Sequence, residues 1–332
     1  MPPGLPTDLS IAVLLPCYNE EPTVADVVRR FRAVLPAATV YVYDNNSRDQ
    51  TAQRAREAGA VVVREPRQGK GNVVRRMFAD IEADIYLMAD GDGTYAPEDA
   101  PQLIDTLLAE RADMVVGTRR GVTDDAGRAG HALGNRLFNS LYKRLFGRDF
   151  TDIFSGYRVF TRRFVKSFPA VSGGFEIETE MSVHASQLKL PVSEVVLDYG
   201  RRPEGSTSKL STFSDGARIL KMFARLMKET QPVRFFGAFS ILFMIVGLLL
   251  AAPVLIEYLE TGIVRRMPTW ILALAFALLS ILMAVAGVIL DSVARGRAEQ
   301  KRIFYLSIPA ARHRRKAAGS RDAGPQSPSS AA

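Results

Sequence analysis

The sequence has little of several residues on which whole classes of site depend. Its one cysteine, Cys17, rules out an intramolecular disulfide framework, and three scattered histidines (His131, His184, His313) tell against a His/Cys zinc centre. Neither G-x-x-x-x-G-K-[ST] nor a G-x-G-x-x-G after the first strand-like run is present. The chain therefore supports neither a P-loop nucleotidase nor a dinucleotide oxidoreductase. The start "MPPGLPTDLS" lacks a basic stretch followed by a long apolar one, so no secretory signal is expected, and no internal repeat is visible. These absences together fit a cytoplasmic setting for the catalytic part.

Positive charge, by contrast, is in excess. A net charge of +8 can mark a nucleic-acid binder, but the Lys and Arg residues crowd towards the C-terminal third, beside long apolar runs, so no nucleic-acid partner is expected. Phe235 to Ile256 is 22 residues without a charge and Pro268 to Leu290 is 23 more. Each is long enough to cross a hydrocarbon core of about 30 Å as a helix. The eleven residues between them, Glu257 to Met267, make the pair a helical hairpin with both ends on one side. Five Lys/Arg lie between Ser214 and Arg234 and eight between Asp291 and Lys316, against two in the connecting loop. This bias places both flanks of the hairpin, and with them both termini, in the cytoplasm of a multi-pass membrane protein. The expected divisions are a catalytic domain over 1–211, an amphipathic juxtamembrane helix over 212–234, two spans within 235–291, and a basic tail over 292–332 that is disordered after Pro309.

The first 120 residues alternate short β-branched runs with helical patterns. Ser10–Pro16, Thr39–Asp44, Ala60–Glu65, Asp84–Asp90 and Asp113–Thr118 read as strands, and Thr23–Leu35, Asp49–Ala58, Lys70–Glu82 and Pro97–Glu110 as helices. The fold class is α/β: a mostly parallel sheet with helices on both faces. Such sheets bind ligands beyond the carboxyl ends of their strands. Here "PCYNEE", "DNNSRDQT", "RQGKGN", "DGDGTY" and "TRR" follow the five strands in turn. Random loops seldom deliver five polar clusters to one edge, and a single ligand site is the economical reading.

Within that edge, "YLMADGDGTYAP" sets Asp90 and Asp92 one residue apart after an apolar run. Two such carboxylates suit a hard divalent cation, Mg²⁺ or Mn²⁺, with substrate phosphates completing its shell. Lys70 in "GKGN" can meet a phosphate at a helix start, although a solvated lysine beside a turn fits the residues equally.

Taken together, "LPCYNEE", "DNNSRDQT", "DGDGTY", "VVGTR", "DIFSGYRVF" and "RRPEGSTSKLS" resemble the family 2 glycosyltransferases, and within them the polyprenyl-phosphate glycosyltransferases. The resemblance implies a GT-A, Rossmann-like fold followed by the transmembrane hairpin. It implies a nucleotide-sugar pocket formed by Pro16, Tyr18, Asn19, Glu20, Asp44, Lys70, Asp90 and Asp92, with Asp90 and Asp92 as metal ligands. Some relatives carry a Gln ligand where this chain has Thr94. Asp92, Asp152 and Arg119 are the implied catalytic group, Asp152 as a positioning or sugar-contacting residue. Arg119, Ser155, Arg158, Arg201, Arg202, Ser208 and Lys209, with Gly156 and Ser206 nearby, are implied to face the sugar or the acceptor phosphate.

The expected reaction is transfer of a hexose, UDP-glucose being the favoured donor, to undecaprenyl phosphate by a single inverting displacement. A phosphate acceptor is already anionic at neutral pH, so no obligatory general base is required. Alternatives are a GDP-mannose-dependent mannose synthase and a non-catalytic membrane scaffold; a processive synthase is disfavoured because two spans make too small a channel. A separate flippase and a downstream glycosyltransferase are implied as partners, and Gly247, Ala251, Ala252, Ala284 and Gly287 permit homo-oligomers through the membrane helices. The resemblance implies that "FEIETEM", with Glu176, Glu178 and Glu180, packs near the acceptor site, and a partly buried structural Glu paired with an Arg fits the residues at least as well, so none of the three is counted as catalytic.

Overall fold

The computed structural model describes residues 9–120, 150–174, 176–198, 221 and 224–310. What is expected of Arg201, Arg202, Ser206, Ser208 and Lys209, of most of 212–223, and of the tail after 310 lies outside the described residues.

Seven strands form one sheet in the order β3-β2-β1-β4-β6-β5-β7. They are β1 (Ile11–Cys17), β2 (Thr39–Asp44), β3 (Val61–Arg64), β4 (Ile85–Met88), β5 (Met114–Arg120), β6 (Arg158–Thr161) and β7 (Val192–Asp198). β1 to β4 are parallel, β6 runs antiparallel between β4 and β5, and β7 is parallel to β5. The fold is thus α/β, with a mixed and mostly parallel sheet. β6 and β7 are not among the five expected strands: "RVFT" is too short to show a period, and only its place between β4 and β5 makes it a strand.

The sheet carries a separate core on each face, as the two-residue alternation of a strand buried on both sides requires. Along β1, Ala12 and Leu14 enter one core while Ile11, Val13, Leu15 and Cys17 enter the other. Helices α1 (Val24–Val34), α2 (Thr51–Glu57) and α4 (Ala100–Ala109) cover the second face. Helices α3 (Lys70–Asp80), α5 (Arg162–Ser167) and α6 (Ile177–Leu188) cover the first. β1 has β2 on one side and β4 on the other, so the winding reverses there and opens a crevice at the carboxyl edge.

Beyond this domain, α7 (Pro232–Thr261) and α8 (Met267–Ser307) pair as an antiparallel hairpin, and both are long and apolar enough to cross a membrane. Leu248, Leu249, Ile241 and Leu278 are exposed on its outside. Gly247 and Gly287, two of the small residues noted in the sequence, lie at the seam between the two helices. A Cβ on Gly247 would stand 3.2 Å from Ala273 O, and one on Gly287 3.2 Å from Phe236 Cβ. At the same seam Ser280 donates its hydroxyl to Ser240 O at 2.8 Å, satisfying a polar group within an apolar surrounding. The second helix also continues past its expected end at Leu290 to Ser307 and returns to the catalytic domain.

Of the juxtamembrane helix, 224–230 is helical, and Leu226 packs on the domain core while Arg225 pairs with Glu229 on the outside. This described part therefore leans on the catalytic domain with one face.

Candidate active site

The loops at the carboxyl edge are laced to one another before any ligand arrives. Pro16 sits in β1 opposite Tyr43, and the chain then turns at Asn19, whose φ of 52° lies in the left-handed region that Asn tolerates. The Asn19 N–H donates to Ser47 Oγ at 2.9 Å, and its side-chain oxygen accepts from the Arg48 N–H at 2.8 Å. Glu20 is buried, and its N–H donates to Thr51 Oγ1 at 2.8 Å. Tyr18 is partly buried beside it. Asp44, the last residue of β2, is buried and accepts from the Ser47 N–H at 3.3 Å.

Asn45, which the sequence did not single out, ties the third loop to the second. Its amide donates to Glu65 O and Arg67 O, and its oxygen accepts from the Gly69 N–H at 2.7 Å. The glycines of "GKGN" prove to be required by backbone packing. A Cβ on Gly69 would meet Gly173 O at 2.1 Å, and one on Gly71 would meet Ser172 O at 2.2 Å. Loop 170–173 is held in that place by Arg75, which donates to Ala170 O and Val171 O, and by Glu180, which accepts from the Val171 and Ser172 N–H groups.

Lys70, at the start of α3, is therefore the chemically active part of that motif. Its Nζ lies 2.5 Å from Asp90 Oδ1 and 2.5 Å from Glu178 Oε1. Burial alone would lower the Lys70 pKa, but the two carboxylates outweigh it and hold the ammonium above its ordinary value. The solvated-lysine alternative is thereby set aside. Glu178 is a site residue that the sequence missed, and its partner is this lysine rather than an arginine. Three acids at alternate positions gave no way to choose among them; only the register of α6 turns Glu178 inward while Glu180 holds the loop.

Asp92 is buried, and Thr94 donates both its N–H and its hydroxyl to Asp92 Oδ1 at 3.1 and 2.6 Å. Thr94 thus orients Asp92. Among the described residues no group of three or more His, Cys, Asp and Glu could hold a metal ion. The Asp90–Asp92 pair still fits a hard cation that takes part of its shell from the protein and the rest from water and phosphate oxygens. The pair offers carboxylate oxygens, with Lys70 balancing the charge of Asp90.

On the far side of the crevice, Arg119 at the end of β5 grips Asp152 in a two-point pair, Nε to Oδ2 at 2.7 Å and Nη2 to Oδ1 at 2.9 Å. Burial would raise the Asp152 pKa, but the hydrogen bonds and charge of Arg119 outweigh it and hold the carboxyl below its usual value.

Two expected acceptor contacts need correction. Ser155 is fully buried, donates its hydroxyl to Gly117 O at 2.5 Å and accepts from the Tyr157 N–H. Arg158 is also fully buried; its guanidinium donates to Ser155 O, Ile153 O and Ser182 Oγ at 2.8 to 3.0 Å. Arg158 lies in a strand internal to the sheet, so it braces the turn from beneath and presents nothing to a phosphate. Gly156, between them, faces the site: its N–H donates to Tyr95 Oη, 2.9 Å away, and it packs against Asp90 and Lys70.

Residues 12–168 match the family described as glycosyl transferase family 2. Over 305 residues the chain is 36% identical to "Glycosyltransferase AglJ" of Haloferax volcanii, covering 91% of this chain and 100% of that one. The "Dolichyl-phosphate hexose transferase" of the same organism is 25% identical over 66% of this chain and 94% of its own. Among solved structures, glucosyl-3-phosphoglycerate synthase from Mycobacterium tuberculosis, in complex with Mn²⁺, UDP-glucose and phosphoglyceric acid, superposes with a TM-score of 0.55 at 25% identity. That match covers 67% of this chain and 79% of the synthase. With the mixed sheet and its two-carboxylate edge, these likenesses show that the chain belongs to glycosyl transferase family 2 and is a glycosyltransferase.

Proposed function

We propose that the protein transfers a hexose from a nucleotide sugar, UDP-glucose first among donors, to undecaprenyl phosphate at the cytoplasmic face of the membrane. The observation that carries this reading is a sugar-transferase crevice in one chain with an apolar hairpin whose leucines face outward. The relative named for dolichyl-phosphate hexose transfer supports the acceptor class, and the neighbour solved with Mn²⁺ and UDP-glucose supports the donor and a divalent cation.

In this reading Pro16, Tyr18, Asn19, Glu20 and Asp44 line the nucleoside pocket, and Asp90 and Asp92 hold Mg²⁺ or Mn²⁺. The cation supplies Lewis-acid charge to the diphosphate. An acceptor phosphate oxygen attacks the anomeric carbon from the face opposite the diphosphate. The bond to the diphosphate oxygen breaks, its electron pair leaves with the nucleoside diphosphate, and the anomeric configuration inverts. The acceptor carries no proton that must be removed first, which agrees with a site whose Asp152 is held ionised by Arg119 and is a weak base. Asp152 then orients Arg119 and the sugar, while Arg119 and Lys70 offset the repulsion between two phosphate-bearing substrates.

The test presents the full-length protein in detergent with undecaprenyl phosphate, Mg²⁺ or Mn²⁺ and labelled UDP- and GDP-sugars. Label from UDP-glucose entering the organic phase supports the reading. Label from GDP-mannose alone replaces the donor, and label from no donor refutes the acceptor assignment.

A further inference from the structure

The end of α8 that returns to the catalytic domain is tied to the edge of the sheet opposite the site. Tyr305 is buried within the domain core, and its hydroxyl donates to Asp113 Oδ2 at 2.5 Å. Asp113, immediately before β5, is fully buried and also accepts from the Thr161 hydroxyl at 2.8 Å and from Arg163 Nε and Nη2 at 2.5 and 2.9 Å. The Tyr305 ring lies against two guanidinium groups, 4.8 Å from Arg163 and 5.4 Å from Arg302. Arg302 in turn donates to Leu188 O, the last carbonyl of α6, at 2.5 Å. One turn of α8 thus grips the start of β5 and the end of α6. The opposite ends of those two elements carry Arg119 and Glu178.

The lengths agree with a spacing role. From Leu290, where the charge-free run ends, to Tyr305 the helix rises about 22 Å at 1.5 Å per residue. The seven residues of β5, from Asp113's neighbour to Arg120, cover about 20 Å. α8 lies on α5 and α6 and is pinned at the far edge of the sheet, and its length from Leu290 to Tyr305 matches the span of β5 from that edge to the site edge.

We propose that Tyr305 and Arg302, clamped on Asp113, Arg163 and Leu188, are positioning residues that fix the height of the active site over the membrane and so govern access to a membrane-borne acceptor. This rests on the reading of the acceptor as a polyprenyl phosphate. None of these residues touches the crevice, so their loss should leave donor binding and the chemical step intact. A loosened clamp lets the domain tilt on the hairpin, and the encounter with a phosphate confined to the bilayer surface is what suffers.

The test uses full-length protein in bilayer nanodiscs, wild type beside Tyr305→Phe, Arg302→Ala and Arg302→Lys. Tyr305→Phe keeps the ring and leaves Asp113 paired with Arg163 and Thr161, so the domain stays folded. Kinetics are measured with undecaprenyl phosphate in the bilayer and with a short, water-soluble prenyl phosphate. The expected result is a KM for the bilayer acceptor raised about fivefold, the loss of one hydrogen bond, with kcat and both constants for the soluble acceptor unchanged. Arg302→Lys should recover part of the loss. Energy transfer from a dye at Glu57→Cys to headgroup dyes should broaden in the same variants. Equal losses with both acceptors, or unchanged KM with unchanged energy transfer, overturns the proposal. If wild-type protein glycosylates neither acceptor while still binding UDP-glucose, the acceptor reading itself falls, and the positioning role falls with it.

Discussion

Two charged clusters stand at opposite edges of the same sheet and are built from the same chemistry. At the amino edge, Asp113 is fully buried and surrounded by donors from Thr161, Arg163 and Tyr305. At the carboxyl edge, one ammonium, Lys70, serves both Asp90 and Glu178, and the Asp90 side chain keeps 31% of its surface open. A buried carboxylate hedged by donors is a fastening, because nothing can approach it without breaking what is there. A carboxylate that shares its one cation and remains partly open can exchange partners. The difference between fastening and site is thus one of access and donor count, since residue type is common to both.

This contrast can be broken most sharply at Asp92. Asp92→Asn keeps the Thr94 contacts in shape but removes the charge, and transfer should fall by about 100-fold or more with the melting temperature nearly unchanged. Label transfer beside a thermal scan checks this, and an active variant would falsify the metal-holding role. The mirror experiment is Asp113→Ala, which strands Arg163 and the Tyr305 hydroxyl. It should cost about 3 kcal/mol of stability, read by denaturant unfolding of the detergent-solubilised protein. If Asp113 instead behaves like a surface acid, the two edges do not differ as described.

Lys70→Met sharpens the comparison in two directions at once. Transfer should fall about tenfold, whereas Mn²⁺ binding without nucleotide, followed by electron paramagnetic resonance, should tighten about tenfold once the competing cation is gone. Weaker Mn²⁺ binding would mean that Lys70 supports the carboxylates as a metal site rather than competing for them.

The smallest effect concerns His184, buried between Phe164 and Phe168 with its pKa pushed down to about 3, first by burial and then by the charge of Lys301. The folded form resists protonation more than the unfolded one, so its contribution is complete above pH 6.5 and is lost as pH falls towards 3. Stability should therefore drop by about 1 kcal/mol or more across that window. In His184→Leu the slope of melting temperature against pH should flatten.

The hydrophobic record was legible for a plain reason. The runs of β1, β2 and β4, the amphipathic α1 and the two charge-free stretches each carry their burial within a few consecutive residues. The gathering of polar clusters at one edge was legible in the same way, since five of them follow five strands. Glu178 and Asn45 were not, because nothing local distinguishes them from Glu180 or Asn46.

By itself, then, the sequence determined an alternating sheet, a carboxylate pair at its fourth strand, and an apolar hairpin, because periodicity and spacing are properties of neighbours along the chain. The tertiary structure alone decided that β6 enters between β4 and β5, that Ser155 and Arg158 face inward, and that Lys70 joins Asp90 to Glu178. It also decided that Tyr305, 192 positions from Asp113, closes a hydrogen bond with it. Each of these depends on which distant segments share a face, and pairings across such separations leave no pattern in one chain.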